Sequence, residues 1–266
     1  MTVVLETQGL TRQFDGRTAV DALTLTVQRG EVFALLGPNG AGKTTTIKML
    51  TTLLPPTSGS ARVAGFDIVR QAAQVRRAIG YVPQLVSADG MLTGFENLLI
   101  FAKLYDVPRS QRQGRIREAL EFMGLTDVAD RLVRQYSGGM IRRLEIAQSV
   151  LHQPQVLFLD EPTGGLDPIA RNAVWDHLVQ LRDRYGTTVI FTTHLMEEAD
   201  LFCSRLAIMH RGKVVASDAP AALKAGIGIP DATLDDVFIR FAGDGLDEGD
   251  SFRETARLRR AARRLG

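Results

Sequence analysis

The sequence contains 266 residues, of which 45% are hydrophobic and 23% are charged. This length and composition are typical of one large globular domain, or of one domain with an inserted subdomain. The formal net charge of +2 is too small to indicate nucleic acid as a partner. The single cysteine, Cys203, excludes a disulfide within the chain, favours a reducing cytosol, and is expected to be a small apolar filler.

Neither a secretion signal nor a membrane-spanning segment is expected from the sequence. Residues 1–10 lack a basic region followed by a long apolar region. The apolar runs elsewhere fall well short of the ~20 residues that a membrane-spanning helix needs. If the protein acts on a membrane, we therefore expect it to act through a partner.

The first part of the chain predicts two strands, a glycine-rich loop and a helix. Residues 22–27 alternate apolar and polar side chains, as a half-buried strand does. Residues 32–36 form a short apolar run, which favours a strand that is covered on both faces. A helix is predicted to follow from Gly42 and to end before Pro55. Its apolar face comprises Ile47, Leu50 and Leu54.

The middle of the chain, residues 85–151, is predicted to be mostly helical, because apolar side chains recur at helical spacing in residues 95–104 and 116–123. Short apolar runs then predict strands at residues 156–159, 189–191, 206–209 and 214–216, with a hairpin turn at residues 210–213. This order predicts an α/β fold with a parallel-sheet core and a helical insertion at about residues 86–150.

The C-terminal residues 243–266 change in composition, first to Gly, Asp and Glu and then to Arg. We expect a polar, Arg-rich and solvated tail. The alternative is that its arginines contact anionic lipid or a partner.

A glycine-rich loop directly follows the predicted strand at residues 32–36. Glycines allow the backbone to curl so that its N–H groups point at phosphate oxygens, and the dipole of the following helix adds to the attraction. Lysine supplies a positive charge, and a threonine hydroxyl suits Mg²⁺. The loop consists of Gly37, Pro38, Asn39, Gly40, Ala41, Gly42, Lys43 and Thr44, followed by Thr45, and matches the pattern G-x-x-x-x-G-K-[ST]. We predict that it binds phosphate groups.

Polar side chains follow three other predicted strands. Asp160 and Glu161 come directly after residues 156–159. Because ligands bind at the carboxyl ends of parallel strands, Asp160 is expected near Mg²⁺ and Glu161 is expected to activate water as a general base. His194 and Gln84 also follow strand-like runs. From the residues alone, both a structural and a catalytic role remain open for these two.

Further motifs resemble those of the ABC ATPases. Residues 137–140 resemble the family's LSGGQ signature, and they lie between the phosphate loop and the acidic strand, as in that family. The matching positions are Ser137, Gly138 and Gly139 in the signature, Gly165, Leu166 and Asp167 in the D-loop, Gln84 in the Q-loop, the switch histidine His194, and Phe14 as the aromatic that stacks on adenine. The departures are Tyr136 for Leu, Met140 for Gln, Gly164 for Ser, Thr or Asn, and Phe14 for Tyr. The resemblance covers roughly residues 3–240.

This resemblance implies a P-loop NTPase core with a mainly parallel sheet, an N-terminal antiparallel β subdomain and an inserted α-helical subdomain, all within residues 1–242. It implies ATP and Mg²⁺ as cofactors, with hydrolysis by Glu161, His194, Lys43 and Gln84. Thr44, Gln84 and Asp160 would hold Mg²⁺. Two copies would pair head to tail, with ATP between the phosphate loop of one copy and Ser137, Gly138, Gly139 and Asp167 of the other.

Residues 12–20, 53–59 and 233–238 further resemble the daunorubicin-resistance branch of drug-exporter ATPases. That branch implies export of a drug-like or other hydrophobic compound through a separate multi-spanning permease, with this chain peripheral at the cytoplasmic face of the cell membrane. A coupling helix of the permease would meet residues 85–92 and 95–105, with exposed residues around 88–91 as the contacts. The C-terminal stripe of Leu234, Val237, Phe238 and Phe241 is expected to pack on the core.

Two alternative functions remain within the same family. An importer ATPase would share the motifs and differ in the direction of transport. A non-transport ABC ATPase of DNA repair would carry a long coiled coil between the phosphate loop and the signature, but residues 45–136 contain no heptad run of that length.

Overall fold

The computed structural model describes residues 2–242, so the tail predicted at residues 243–266 lies outside the described residues. The strands are β1 (Val3–Phe14), β2 (Arg17–Gln28), β3 (Val32–Leu36), β4 (Ser58–Val63), β5 (Phe66–Asp67), β6 (Ile79–Val82), β7 (Val156–Asp160), β8 (Thr188–Thr193), β9 (Arg205–His210) and β10 (Lys213–Asp218). The helices are α1 (Lys43–Leu50), α2 (Ala72–Ala78), α3 (Gly94–Leu104), α4 (Arg109–Phe122), α5 (Gly138–Val150), α6 (Pro168–Tyr185), α7 (Met196–Phe202), α8 (Pro220–Gly226) and α9 (Leu234–Ala242).

A four-stranded antiparallel sheet forms the N-terminal layer, in the order β2-β1-β4-β5. Strands β1 and β2 are joined by a two-residue turn at Asp15 and Gly16, whose φ angles are 46° and 78°. A turn with two positive φ angles has the twist that an antiparallel hairpin requires, which explains the Asp-Gly pair. The turn places Phe14 at the tip of the hairpin, paired with Arg17. This layer confirms the predicted antiparallel β subdomain.

The six-stranded sheet is mostly parallel, in the order β10-β9-β3-β8-β7-β6. Leu36 at the end of β3 pairs with Thr193, and Asp160 at the end of β7 pairs with Thr192. The carboxyl ends of β3, β8, β7 and β6 therefore lie side by side at one edge, and the segments that follow these strands are neighbours. The predicted hairpin is confirmed, because β9 and β10 pair antiparallel.

Strand β3 lies in the interior of this sheet and is buried along its whole length. Val32, Ala34 and Leu36 face the core that contains the helices α3–α6, whereas Phe33 and Leu35 face the core shared with α1 and the antiparallel sheet. The continuous apolar run is thus explained by burial on both faces.

Helices α3, α4 and α5 lie between β6 and β7 in the chain and form the helical block that the sequence predicts. Thr93 begins α3 with a reciprocal capping box, in which its hydroxyl accepts from the Glu96 N–H at 3.1 Å and its own N–H donates to Glu96 at 2.8 Å. Within residues 2–242, no helix is both long and apolar enough to cross a bilayer.

The helix after the glycine-rich loop is shorter than the sequence predicts. Helix α1 ends at Leu50, whereas the prediction extended it to Leu54. Thr52 adopts a left-handed φ of 65°, and the N–H groups of residues 53 and 54 both bond to the Lys48 carbonyl. Leu54 still packs against the core, but from the segment after the helix.

The C-terminal stripe is on α9. Leu234, Val237 and Phe238 are buried, as predicted, while Phe241 is 43% exposed.

Candidate nucleotide site

A cleft of about 500 Å³ opens at the carboxyl edge of the six-stranded sheet. This volume is within the range of small-molecule sites. Among the residues predicted from the sequence, its lining includes Phe14, Asn39, Gly40, Ala41, Gly42, Lys43, Thr44, Thr45, Gln84 and Glu161. Because the sheet order places the ends of β3, β7 and β6 at one edge, residues separated by more than a hundred positions meet in this cleft.

The loop between β3 and α1 can be built only with glycine at two positions. A Cβ atom on Gly37 would collide with the carbonyl oxygen of Met209, and one on Gly42 would collide with that of Ala19. Gly42 also has a left-handed φ of 102° and begins α1. The glycines of the motif therefore set the path of the loop around the N-terminus of α1, where helix N–H groups attract anions.

Lys43 is almost fully buried beneath this loop, with 4% of its surface exposed. Its Nζ donates to the carbonyl oxygens of Gly37 at 2.8 Å and Pro38 at 3.0 Å, and lies 3.7 Å from Glu161 Oε1. Burial lowers the pKa of Lys43, while the charges of Glu161 and Asp160 act in the opposite direction. A poorly solvated ammonium group in this position is a strong attractor for phosphate oxygens.

Asp160 is buried at the end of β7 and accepts two hydroxyl hydrogen bonds. Thr44 donates to its Oδ1 at 3.0 Å and Thr192 donates to the same oxygen at 2.6 Å. The helix that follows the glycine-rich loop is thus connected to the acidic strand through Thr44. An aspartate and a threonine hydroxyl in contact are a suitable oxygen donor set for Mg²⁺.

Glu161 lies at the centre of the polar contacts in the cleft. Gln84 donates to Oε2 at 3.2 Å, and His194 Nδ1 lies 3.2 Å from Oε1. The Glu161 N–H donates to Thr192 Oγ1 at 2.9 Å. Its φ of 48° is unusual for a residue with a side chain, and such backbone strain persists where surrounding contacts fix the residue. The structure therefore brings the side chains of Gln84, Glu161 and His194 together.

Within residues 2–242, the signature residues Ser137, Gly138 and Gly139 and the D-loop residue Asp167 are not among the residues that line the cleft. Ser137 caps α5 by accepting from the Met140 N–H at 3.3 Å, and Asp167 caps α6 by accepting from the Ala170 N–H at 2.9 Å. Gly139 approaches Ala170 closely, so the two helix N-termini lie against each other.

Phe14 reaches the cleft from the tip of the β1–β2 hairpin. Its ring is 42% exposed, and the guanidinium of Arg12 stacks over it at 4.5 Å from the centroid. An aromatic face held by a cation on one side can stack on a planar ligand on the other.

Sequence analysis missed a buried ion pair behind Gln84. Arg142 on α5 donates to the carbonyl oxygens of Pro83 at 2.8 Å and Gln84 at 3.1 Å, and pairs with Glu145 at 3.1 Å. Glu145 in turn accepts from Ser87 Oγ at 2.9 Å. Opposite charges three residues apart are usually a surface feature, so their spacing gave no indication that they bind the segment after β6.

Comparisons with known proteins identify the family of the chain. The family model for ABC transporter matches residues 20–164. The daunorubicin/doxorubicin resistance ATP-binding protein DrrA of Streptomyces peucetius is 47% identical over 227 residues, covering 85% of this chain and 68% of that protein. The probable multidrug ABC transporter ATP-binding protein YbhF of Escherichia coli K12 is 40% identical over 244 residues, covering 91% of this chain but 42% of that protein. A solved ATP binding subunit of an ABC transporter superimposes with a TM-score of 0.81 at 28% identity, covering 90% of this chain and 100% of the other. The chain therefore belongs to the ABC transporter family, as a subunit that binds and hydrolyses ATP.

Proposed function

We propose that this subunit binds MgATP in the cleft and hydrolyses it with Glu161 as general base, in order to drive export of a drug-like or other hydrophobic compound. The observation that carries the proposal is the position of Glu161, whose carboxylate contacts Gln84 and His194 and faces Lys43 across the cleft. A carboxylate held by neighbouring donors at the mouth of a phosphate site is well placed to accept a proton from attacking water.

Each of the surrounding residues has a role in this proposal. Lys43 and the N–H groups of the loop bind the phosphates, Phe14 stacks on adenine, and His194 contacts the γ-phosphate. Thr44, Asp160 and Gln84 would hold Mg²⁺, which would neutralise charge on the phosphates. Within residues 2–242 no group of three or more acidic, histidine or cysteine side chains could hold a metal. Mg²⁺ is usually bound by one or two carboxylates together with substrate phosphates, so the Thr44–Asp160 pair fits it.

The position of the signature supports a dimer. Ser137, Gly138 and Gly139 begin α5 outside the cleft, and a helix N-terminus favours anions. We assign residues 1–242 to one ATPase domain with residues 86–150 as its helical subdomain. In a head-to-tail pair of such domains, Ser137 and Asp167 of one copy complete the cleft of the other.

A groove of about 910 Å³ between the helical block and the β6 side of the core is the proposed site for a separate multi-spanning permease. Its apolar lining includes Leu53, Tyr81, Phe101, Leu104 and Tyr105. Leu85, Val86 and Met91 are 82%, 62% and 68% exposed and lie in the segment that follows β6. Such an exposed apolar region is typical of an interaction surface. An amphipathic helix of the permease would dock here and hold the chain at the cytoplasmic face of the membrane.

The direction and the class of cargo rest on the relatives. DrrA is named for daunorubicin and doxorubicin resistance, and YbhF is named as a probable multidrug transporter protein. We infer export of compounds of that chemical class.

Two substitutions test the site. We expect Glu161→Gln to bind ATP with unchanged affinity, to lose nearly all turnover, and to elute as a dimer with MgATP in size-exclusion chromatography with light scattering. Lys43→Ala should lose ATP binding, because the buried ammonium group is removed from the phosphate site. The exposed substitution Glu121→Gln on α4 is the control. Full turnover in Glu161→Gln would overturn the general-base role, and unchanged ATP affinity in Lys43→Ala would overturn the phosphate site.

A further inference from the structure

Another buried carboxylate, Glu198 on α7, lies directly behind the edge of the sheet that contains the proposed site. Only 3% of its surface is exposed. Its Oε2 accepts from Thr193 Oγ1 at 2.8 Å, and its Oε1 accepts from Thr163 Oγ1. Trp175 Nε1 donates to Oε1 at 3.5 Å, and Arg171 Nε lies 3.7 Å away. Donors thus surround the carboxylate, which is the condition under which a buried charge is stable.

These donors come from the three segments that contain the proposed machinery of hydrolysis. Thr163 is two residues after Glu161, and Thr193 immediately precedes His194. Arg171 and Trp175 are on α6, the helix that Asp167 caps. The side chain of Glu198 therefore connects three parts of the chain. These are the segment that follows Glu161, the segment that precedes His194, and helix α6, which Asp167 caps.

The alternation of side chains along β8 explains this arrangement. Successive side chains of a strand point to opposite faces. Thr192 contacts Asp160 and the Glu161 N–H, while Thr193 contacts Glu198. The Thr193 carbonyl also accepts from the Gly37 N–H at 3.3 Å, so the same residue is bonded to the phosphate loop.

The segment that contains Glu161 and Thr163 needs contacts of this kind, because Glu161 has a strained backbone with a φ of 48°. Residues in such conformations keep them only when their surroundings fix them. Thr192 fixes the N–H of Glu161, and Glu198 fixes the same segment two residues later through Thr163. Misplacement of a reacting group by about 1 Å can cost on the order of 100-fold in rate.

We propose that Glu198 is a positioning residue for ATP hydrolysis, which holds the Glu161 and His194 segments in register with each other and with the D-loop helix. The inference rests on the proposed roles of Glu161 and His194. Glu198 does not touch the cleft, so its removal changes the rate of the chemical step and leaves nucleotide binding intact.

The experiment weakens the hydrogen bond between Thr163 and Glu198 by substituting one partner at a time. Thr163→Val keeps the shape of the side chain and removes the hydroxyl that donates to Glu198, whereas Thr163→Ser keeps the hydroxyl. Glu198→Gln replaces one acceptor oxygen by an NH₂ group. The control is Glu197→Gln, an exposed carboxylate one position earlier on the same helix. For each full-length variant, kcat and KM for MgATP, ATP affinity and the melting temperature are measured.

We expect kcat of Thr163→Val and Glu198→Gln to fall by roughly 10- to 100-fold with KM and ATP affinity unchanged. Thr163→Ser and Glu197→Gln should stay close to the parent. The double variant Thr163→Val/Glu198→Gln should be no slower than the slower single variant, because both remove the same connection.

Three results would overturn the inference: a parental kcat in Thr163→Val, an equal loss of kcat in Thr163→Ser, or a loss of kcat that only follows a fall in melting temperature. If Glu198→Gln does not fold, the comparison of Thr163→Val with Thr163→Ser tests the inference alone. Glu161→Gln in the same series separates the two proposals. Full turnover there would reject the general base, while the contrast between valine and serine at position 163 would still decide the positioning role.

Discussion

Thr192 shows how one side chain can fix two groups of the proposed site. A hydroxyl donates one hydrogen bond and can accept others. Thr192 donates to Asp160 at 2.6 Å and accepts from the N–H of Glu161 at 2.9 Å. The proposed metal ligand and the proposed base are adjacent in sequence, and this hydroxyl sets their relative orientation. A valine here would have the same shape and the same strand propensity but would release both groups.

At the scale of single residues, the half-buried Cys203 provides a simple test of how its surroundings suppress ionisation of the thiol. Its thiol donates to the Ala199 carbonyl, and burial, together with the charge of Asp200, raises its pKa to about 12 from 9.0. Because the thiolate is the nucleophile, we expect alkylation by iodoacetamide at pH 8 to be roughly a thousand-fold slower in the folded protein than in the chain unfolded in urea. Mass spectrometry follows the reaction. Fast labelling of the folded protein at pH 8 would contradict the raised pKa of this half-buried thiol.

The residues that sequence analysis identified are those whose chemistry lies in a contiguous motif. Lys43 and Thr44 belong to one loop, and Asp160 with Glu161 ends one apolar strand, so their environment could be predicted from their neighbours in the chain. Thr192 and Glu198 could not be identified in this way. Their contacts with residues 160–163 span 31 to 35 positions, and threonine in a strand or glutamate in a helix has no distinctive local pattern.

At the scale of elements, the order of strands in the sheet determines which residues meet in the proposed site. Strand β3 is followed by the phosphate loop, β8 by His194, β7 by Glu161 and β6 by Gln84, and these strands are consecutive in the sheet. The sequence predicted each strand separately, but periodicity contains no information about which strands pair. The end of α1 was wrong for a related reason. Leu54 has the spacing of a helical face, but the left-handed Thr52 turns the chain before it reaches that residue.

The Arg142–Glu145 pair should stabilise the contact between α5 and the segment after β6. Both side chains are buried, and burial lowers the pKa of Arg142. Glu145→Gln removes the counter-charge of a buried guanidinium, so we expect the free energy of unfolding in urea to fall by about 3 kcal/mol. The exposed substitution Glu121→Gln should change it by less than about 0.5 kcal/mol.

Hydrogen exchange then localises the effect of Glu145→Gln. The amides of residues 84–87 should exchange faster in the variant, because Ser87 N–H and Oγ lose their charged acceptor. Unchanged stability and unchanged exchange at these amides would show that the pair does not hold the segment.

At the scale of the whole molecule, the described residues carry three proposed functional surfaces around one sheet. The cleft is at its carboxyl edge, the signature is at the start of α5, and the groove lies between the helical block and β6. Gln84 joins the first and the last of these, since its side chain contacts Glu161 and its carbonyl accepts from Arg142. A movement of the helical block that carries Arg142 would therefore reach Glu161 through one residue. If the permease docks in the groove and Glu161 is the base, as we propose, this short path would be a physical basis for coupling between the two.

The groove proposal leads to a matched pair of substitutions. Val86 is 62% exposed and lies in sequence between the groove residues Pro83 and Ser87, whereas Val69 is 60% exposed on the side of the antiparallel sheet. We expect Val86→Glu to abolish co-purification of a multi-spanning membrane protein from detergent-solubilised native membranes, because a charge in an apolar interface must be desolvated without a partner. Val69→Glu should retain it. ATP binding by both isolated variants should equal that of the parent, since neither residue lines the cleft. Equal recovery of the membrane protein with both variants would place the permease on another surface, and a loss with both would indicate a general effect of the added charge.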